Sequence, residues 1–421
     1  MFKFIHTADV HLGSILNFGD DYVKNAVYNA FNKIVDYAQQ EMVDFIVISG
    51  DLFDRDVRSI KAIKFFKDCA VRLMEKNISI YLIAGNHDYL LNKREVFQFP
   101  SNVFICDSEN LSKFQVKNKE GKLIANILGQ SYKKRSEGRK LYENYIAEDD
   151  GLFNMGLLHT LLDKNNLDYA PCSLENLSKN KAIAYWALGH IHKYKVLKND
   201  EQFIAYSGIP QGRDFGETGV CGCILVEVDD ENKIQTKFLP TASIIWKVIE
   251  VHIDEDADNI PGNISELISY IVQKGMEILD ETNVRGYAVK WIIKGRTQLI
   301  YTIEEAEDNV EQLIIAEINK AFEDFNPFIY TVSIDIRLEK PIKKVEELMK
   351  ENNTFKEIYD ICEGFSKDRK QFIKSFGQIF ESKFDMENLD LCKIQLDEDT
   401  YDVILSKAKE MIAEALLERE D

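Results

Sequence analysis

Histidine is rare in this chain of 421 residues, and five of its seven histidines fall at four places beside a few acids and one asparagine. Carboxylate, imidazole and amide groups are ligands that suit Mn²⁺ or iron, whereas structural zinc cages are built mainly from cysteine. These residues therefore predict a catalytic metal site. The four places are Asp9-Val10-His11, Asn86-His87-Asp88, a separate His159, and His190-Ile191-His192.

Phosphodiester hydrolysis is the reaction that such a ligand set favours. A phosphodiester is anionic and its leaving group is poor, so hydrolysis needs an activated water and positive charge beside the phosphoryl oxygens. Two cations about 3.5–4 Å apart supply both. One carboxylate must then bridge the two ions. Asp51, in the stretch Gly50-Asp51-Leu52-Phe53-Asp54, is the predicted bridge.

Short apolar runs end where these residues begin, so strands are expected to position the ligands. Helix-period stretches over residues 22–42 and 57–76 separate the first three runs, which indicates an α/β organisation of layered sheets between helices. Runs that are apolar on both faces need cover on both sides, and the carboxyl ends of strands meet at one edge of a sheet. The predicted strands are Phe2–Ile5, Asp44–Ser49, Ile78–Ala84, Ala125–Leu128, Phe153–Leu158 and Ile183–Leu188.

The pattern changes twice further along the chain, which predicts three domains over residues 1–240, 241–340 and 341–421. Hairpin-like strands precede a break at Pro240, and the strands and helices after it indicate a small α+β domain. The acidic remainder past Pro341 is predicted to be helical. The later predicted strands are 202–206, 222–228, 234–239, 244–253, 287–293 and 330–336, and the predicted helices are 264–279 and 303–325.

The net charge of −19 argues at first against a nucleic-acid partner, because polyanions repel one another. The charge is distributed unevenly, since residues 1–240 carry a net charge of −2 and residues 241–421 carry −17. Several acids in the first part are also candidate ligands, which bound cations would neutralise. The first part is therefore electrostatically permissive for DNA.

The sequence also predicts a compartment. Asp9 interrupts the N-terminal apolar stretch before a signal peptide can form, and no later run approaches the roughly twenty apolar residues of a membrane span. We therefore expect a cytoplasmic protein without membrane attachment. The seven cysteines are scattered and form no C-x-x-C pair, so buried reduced thiols are expected.

Five motifs in this chain resemble, in order, the metal-site motifs of the calcineurin-like metallophosphoesterases. One Asp-x-His or Gly-His-x-His arises often by accident, but five motifs in this order do not. The stretches 6–13 and 206–217 are also similar to signatures of SbcD-type exonuclease subunits, including the YhaO group, so the resemblance covers residues 1–240. The five motifs are Asp9-x-His11, Gly50-Asp51-x-x-Asp54, Gly85-Asn86-His87-Asp88, His159 and Gly189-His190-x-His192.

The resemblance implies a four-layer αββα sandwich, followed by the α+β domain as a cap and a helical C-terminal segment. It implies that His87 stabilises the transition state or protonates the leaving oxygen, and that Asp88 orients His87. Ser207 and Arg213 would shape the substrate side of the site. One ion would be held by Asp9, His11, Asp51 and His192, and the other by Asp51, Asn86, His159 and His190.

The same resemblance implies a function. The chain would be the Mn²⁺-dependent nuclease subunit of an SbcCD-like DNA repair complex, with exonuclease activity and some single-strand endonuclease activity. It would bind two Mn²⁺ ions, with iron or another divalent metal as the alternative. It would act as a homodimer on DNA together with an SMC-like ATPase of the SbcC/YhaN type.

Two other functions stay open. A small-substrate phosphoesterase, such as a cyclic-nucleotide phosphodiesterase or a nucleotidase, would use the same metal site but would not need the additional 180 residues. A non-catalytic scaffold subunit would use the C-terminal helices and keep the site idle.

Several polar residues have two readings. For Asp54, capping the following helix and a role in the site are equally supported. His6 and His252 are better explained as structural residues. The basic run Lys133-Lys134-Arg135, followed by Arg139-Lys140, would suit a DNA backbone, although a solvated loop is the better explanation. The apolar faces over 372–380 and 405–416 suit contact with the ATPase and self-packing equally.

Overall fold

The computed structural model describes most of the chain, and contacts between Cα atoms divide it into two compact units. The first unit comprises Met1–Val251, Ile268–Ile292 and Asn309–Asp335, and the second comprises His252–Leu267, Ile293–Asp308 and Ile336–Asp421. The described residues are 1–54, 59–89, 98–147, 150–163, 165–253, 260–279, 284–305, 309–339 and 353–367, together with residues 407 and 411.

The first sheet has six strands in the order β12-β11-β1-β2-β3-β4. Its central strands β1, β2 and β3 run parallel, because helical crossovers connect them. The strands are β1 (Phe2–Thr7), β2 (Phe45–Ser49), β3 (Ser79–Ile83), β4 (Val103–Ile105), β11 (Gly222–Val228) and β12 (Ile234–Pro240), and the helices are α1 (Asp21–Lys24), α2 (Ala26–Gln40) and α3 (Ile60–Met74).

The second sheet also has six strands, in the order β5-β6-β7-β8-β10-β9. Strands β6, β7, β8 and β10 run parallel, and β5 and β9 form the antiparallel edges. The strands are β5 (Ser112–Lys117), β6 (Leu123–Gly129), β7 (Phe153–His159), β8 (Tyr185–Gly189), β9 (Lys195–Asn199) and β10 (Phe203–Tyr206), with a 3₁₀ helix (Leu141–Asn144) and α4 (Leu174–Lys179).

Apolar side chains between the sheets hold the sandwich together. Phe4 and Phe45 of the first sheet stack with ring centroids 5.0 Å apart, and Phe4 meets Tyr185 of the second sheet edge-on at 5.1 Å. A separate core lies under α2 and α3, and another lies under α4 and the 3₁₀ helix. Each sheet is thus covered on both faces, as its doubly apolar strands require, and the predicted four-layer αββα arrangement is confirmed.

A third sheet follows in the order β13-β14-β15. In the first unit, Phe18 packs against Trp246 and stacks on Tyr330, with ring centroids 5.5 and 4.8 Å apart, so these strands share a core with the N-terminal loop. The remaining elements are β13 (Ile244–His252), α5 (Ile264–Met276), β14 (Gly286–Arg296), α6 (Leu299–Glu305), α7 (Val310–Ala321), β15 (Phe328–Glu339) and α8 (Asn353–Lys367).

The remaining fold predictions concern the cysteines, a membrane span, the C-terminal apolar faces and the domain boundaries. The cysteines within the described residues whose side chains are placed are buried and unpaired, as expected. No described helix is long and apolar enough to cross a membrane. The apolar faces over 372–380 and 405–416 lie outside the described residues, apart from residues 407 and 411. The domain boundaries at residues 240 and 340 stay predictions.

Candidate metal centre

Five parallel strands bring the candidate ligands to one edge of the sandwich. In the first sheet, Asp9 and His11 follow β1, Asp51 follows β2, and Asn86 follows β3. In the second sheet, His159 ends β7, and His190 and His192 follow β8. The two sheets therefore contribute to one cluster, as carboxyl ends of parallel strands predict.

The backbone at this edge is left-handed at four of the seven candidate ligands. Asp9, His11 and Asp51 have φ between 50° and 52°, and His190 has φ of 98°. Such conformations are costly for residues with a Cβ and persist where surrounding contacts fix them. Here Asp9 N donates to Gly50 O at 3.0 Å, and His11 N donates to Asp51 O at 3.0 Å.

Close packing at the strand ends also explains two glycines of the motifs. A Cβ on Gly50, where φ is +97°, would lie 2.3 Å from Nδ1 of His159, and a Cβ on Gly85 would lie 2.3 Å from Oδ1 of Asp51. Both positions exclude any side chain unless a candidate ligand moves.

One group of candidate ligands joins the two sheets through His11 and His192. Their Nε2 atoms lie 3.3 Å apart, and Nε2 of His192 lies 3.8 Å from Oδ1 of Asp9. Nδ1 of His192 donates to Oε1 of Glu217 at 2.6 Å, since a carboxylate accepts. In neutral His192 the lone pair is therefore on Nε2 and faces other electron-rich atoms.

A second group surrounds His159, which is fully buried. Its Nδ1 donates to the carbonyl oxygen of Ser49 at 2.9 Å, so the lone pair of the neutral ring is on Nε2. That Nε2 lies 2.9 Å from Oδ1 of Asn86 and 3.4 Å from Oδ2 of Asp51. Nδ1 of His190 lies 3.3 Å from the same Asn86 oxygen.

The electrostatics of the cluster favour positive charge. Burial and the nearby charge of Asp51 raise the pKa of Asp9, and both of its carboxylate oxygens accept from the backbone N–H of His190. Burial alone would lower the pKa of His159, but the carboxylates of Asp51 and Asp9 raise it to about 9. His190 is the opposite case, because burial and the charge of His159 lower its pKa to about 3.

The cluster fits divalent cations on its own geometry. Ligand atoms of Asp9, His11 and His192 lie within 4.8 Å of one another, as do those of Asp9, Asp51 and His159. Nε2 of His159 and Nε2 of His192 face oxygen or nitrogen atoms that would accept a proton from them, and a divalent cation would occupy the place of that proton. Buried carboxylates and imidazoles are matched to such ions.

The contacts of His87 and Asp88 change one expectation. We expected Asp88 to orient His87, but the carboxylate that faces the ring is that of Asp54, whose Oδ1 lies 3.3 Å from Nδ1 of His87. Asp88 instead accepts backbone N–H groups from Leu52 at 2.7 Å, Phe53 at 3.2 Å and Gly85 at 2.8 Å. Burial and the charge of Asp51 raise its pKa to about 7.

Asp54 was equally supported as a helix cap and as a site residue. It lies well before α3, which begins at Ile60 with Ser59 as its N-cap. Besides facing His87, its carboxylate accepts from the hydroxyl of Ser14 at 2.5 Å. The placement of Asp54 could not be predicted, because the residues between it and the following helix cannot be counted reliably from periodicity.

The two predicted substrate-side residues lie on the loop that follows β10. Ser207 is buried and lines a cavity of about 470 Å³ that also contacts His192 and Glu217. Arg213 forms an ion pair with Glu217, with Nη2 2.7 Å from Oε1. Glu217 was not among the predicted site residues, although it is the last residue of the stretch 206–217 that carries the resemblance.

Two further predictions concern His6 and the basic loop that contains Lys133 and Arg139. His6 is fully buried, with Nδ1 3.0 Å from the hydroxyl of Tyr185 and Nε2 3.2 Å from the carbonyl oxygen of Leu188, which agrees with a structural role. In the basic loop, Lys133 pairs with Glu109 at 2.7 Å and Arg139 pairs with Glu137 at 2.5 Å. Part of that positive charge is therefore neutralised locally.

This chain is similar to several known proteins. The model of the calcineurin-like phosphoesterase family matches residues 2–194. The uncharacterized metallophosphoesterase YhaO of Bacillus subtilis (strain 168) is 34% identical over 331 residues, which cover 74% of this chain and 79% of that protein. The DNA double-strand break repair protein Mre11 of Methanocaldococcus jannaschii is 28% identical over 214 residues, covering 49% of this chain and 55% of that protein. A solved dimetal phosphatase from Danio rerio aligns at 10% identity over 56% of this chain and 98% of its own, with a TM-score of 0.34.

Two packed sheets with Asp, Asn and His side chains at neighbouring strand ends define the class of metallophosphoesterases. The family match over residues 2–194 and the extensive similarity to YhaO place this chain more narrowly. It belongs to the calcineurin-like phosphoesterase family, whose members are hydrolases that use divalent metal ions.

Proposed function

We propose that this chain is a Mn²⁺-dependent nuclease that hydrolyses DNA phosphodiesters. It acts as an exonuclease with some single-strand endonuclease activity. It works in the cytoplasm as a homodimeric subunit of an SbcCD-like repair complex, together with an SMC-like ATPase. The similarity to Mre11 supports the choice of DNA as substrate.

The observation that carries the proposal is the convergence of seven side chains from both sheets. One cation would be held by Asp9, His11, Asp51 and His192, and the other by Asp51, Asn86, His159 and His190. When bound, two such ions place positive charge beside the phosphoryl oxygens and make water a better nucleophile. Manganese agrees with the mixture of carboxylate, imidazole and amide groups, and iron or another divalent metal is the alternative.

His87 is the residue proposed to act on the reacting phosphodiester. Its side chain is about one-third exposed, at 32%, whereas five of the seven proposed ligands are buried. Asp54 holds Nδ1, which leaves Nε2 to stabilise the transition state or to protonate the leaving oxygen. Asp88 supports the loop from which His87 projects, because it accepts the N–H of Gly85.

The small-substrate phosphoesterase is the second candidate activity, because it would use the same cluster. A comparison of substrates separates the two. Purified protein is incubated with Mn²⁺ and labelled linear DNA and, separately, with a cyclic nucleotide. Faster turnover of DNA supports the nuclease. Cleavage of the cyclic nucleotide alone overturns it, and no cleavage of either supports the scaffold reading.

His87→Ala is the variant that tests catalysis within the same experiment. General acid–base groups typically contribute about 10²–10⁴-fold to rate, so DNA cleavage should fall by that factor. The Mn²⁺ content should stay unchanged, because His87 is not among the proposed ligands. Full activity in this variant would remove His87 from the mechanism.

A further inference from the structure

We propose that Glu217 and Arg213 form a positioning pair that fixes the imidazole of His192 for metal binding. Arg213 would then act on the centre through Glu217, whereas the family resemblance implied that it shapes the substrate side of the site. The inference rests on the metal centre proposed above. It adds two residues that control how one ligand is presented to the ion.

Glu217 has four hydrogen-bond donors arranged around its two carboxylate oxygens. Oε1 accepts from Nδ1 of His192 at 2.6 Å and from Nη2 of Arg213 at 2.7 Å. Oε2 accepts from the backbone N of Arg213 at 2.8 Å and from its Nε at 3.2 Å. The carboxylate is therefore fixed in rotation by a bidentate guanidinium and a backbone N–H.

This arrangement determines which nitrogen of His192 is available to an ion. Because the carboxylate only accepts, Nδ1 of His192 carries the proton and Nε2 carries the lone pair in the neutral ring. Nε2 lies 3.3 Å from Nε2 of His11 and 3.8 Å from Oδ1 of Asp9. Metal-binding imidazoles usually donate their other N–H to such an acceptor, which fixes tautomer and ring orientation.

Burial makes the pair a fixed part of the site. The side chain of Glu217 is 8% exposed and that of Arg213 is 19% exposed. The two residues lie in one short turn, in which Glu217 N donates to Asp214 O at 3.1 Å. A buried carboxylate beside His192 needs a compensating charge, and Arg213 supplies it without leaving the turn.

The chain contains a matched pair for comparison in Glu137 and Arg139. Oε1 of Glu137 accepts from N and Nε of Arg139 at 3.1 and 2.7 Å, and Oε2 accepts from Lys133 N at 3.2 Å and from Nη2 of Arg139 at 2.5 Å. The Glu137 side chain is 2% exposed. Neither Lys133 nor Arg139 is a proposed ligand, so this carboxylate has similar chemistry without His192.

The test is to measure Mn²⁺ binding by the Glu217→Gln variant, with the Glu137→Gln variant as the control. Electron paramagnetic resonance monitors the binding. The glutamine side chain has the same shape as that of glutamate, but its NH₂ group would face two of the four hydrogen-bond donors. We expect Mn²⁺ affinity to fall about 10–100-fold in Glu217→Gln and to stay unchanged in Glu137→Gln. Thermal unfolding of the metal-free proteins should show a comparable loss of stability in both variants.

The outcomes separate the inference from the function on which it rests. If the unmodified protein binds no Mn²⁺, the proposed metal centre itself fails. If the unmodified protein binds two ions and Glu217→Gln binds them equally tightly, only the positioning role is overturned. An equal loss of affinity in both variants would also overturn it, because general destabilisation would then explain the effect.

Arg213→Lys tests the other half of the pair. Lysine keeps the charge but cannot hold both carboxylate oxygens, so Mn²⁺ affinity should fall while KM for DNA at saturating Mn²⁺ is unchanged. A raised KM with unchanged Mn²⁺ affinity would assign Arg213 to the substrate and overturn its positioning role.

Discussion

At the scale of single residues, what each side chain accepts or donates decides its role more clearly than its type does. Nδ1–H of His159 donates to the carbonyl oxygen of Ser49, and Nδ1–H of His192 donates to the carboxylate of Glu217. Both histidines direct Nε2 into the cluster. His6 has both nitrogens beside Tyr185 and the Leu188 carbonyl, so it has no lone pair directed at a ligand group. Structural histidines and candidate ligand histidines therefore differ in their hydrogen-bond partners, which the sequence does not display.

Asp54→Asn tests the pairing with His87. Replacing the carboxylate weakens a hydrogen bond to a charged group, typically about 1.5–3 kcal/mol, and partial exposure reduces this, so kcat should fall about tenfold. Mn²⁺ affinity should be retained. The measurement is kcat on labelled DNA, with Asp44→Asn as control, since that carboxylate accepts from Lys3 N. Unchanged kcat in Asp54→Asn would show that the pair has no catalytic importance.

Asp88→Asn tests structure instead of chemistry. The amide presents NH₂ to at least one of the three backbone N–H groups that the carboxylate accepts, which leaves that donor unsatisfied. The free energy of unfolding should fall by about 1–3 kcal/mol. Urea unfolding measures it. Unchanged stability with lost catalysis would instead restore Asp88 to the role of orienting His87.

At the scale of elements, strands that are apolar on both faces could be predicted, and three short or lysine-rich edge strands could not. Runs such as those of β2 and β3 are buried on both faces, so their composition identifies them. Strands β4, β5 and β9 were not predicted: β4 has three residues, and β5 and β9 are partly exposed edges with lysines among few apolar residues. A single helix was predicted over 303–325, where the structure has the two helices α6 and α7. Hydrophobic periodicity alone does not reveal where one helix ends and the next begins.

The candidate ligands were predictable for the same reason. Each lies at or just after the end of a buried strand, and parallel strand ends share one edge. Glu217 was missed because it lies on a loop beyond β10, where no periodic signal indicates direction. Its contact with His192 depends on the path of the whole loop, which single-sequence patterns do not specify.

Gly50→Ala tests how closely the strand ends must approach. Gly50 and Gly121 both have positive φ, at 97° and 84°, but a Cβ on Gly50 would meet His159 and one on Gly121 would have no atom within 4 Å. Both alanine variants should lose about 1–2 kcal/mol from backbone strain. Only Gly50→Ala should also lose Mn²⁺ binding, measured by titration. Equal Mn²⁺ affinity in the two variants would show that His159 moves without consequence.

At the scale of the whole molecule, the proposed ions connect the two sheets of the sandwich. Asp9, His11 and Asp51 come from the first sheet, whereas His159 and His192 come from the second. The uneven distribution of charge is compatible with metal binding between the sheets. The net charge of −2 over residues 1–240 includes the acids that bound cations would neutralise. Metal binding should therefore stabilise the sandwich as well as enable hydrolysis.

Metal removal tests that connection directly. Two ions that bind only the folded chain, each at a free concentration of 100 Kd, stabilise it by about 5 kcal/mol, which raises Tm by roughly 10–20 °C for a domain of this size. We expect a chelator to lower Tm by this amount and Mn²⁺ to restore it, as followed by calorimetry. Asp51→Asn, which removes the proposed bridge, should unfold at a temperature that no longer depends on Mn²⁺. A Tm that does not respond to Mn²⁺ in the unmodified protein would mean that the two sheets are not joined by metal.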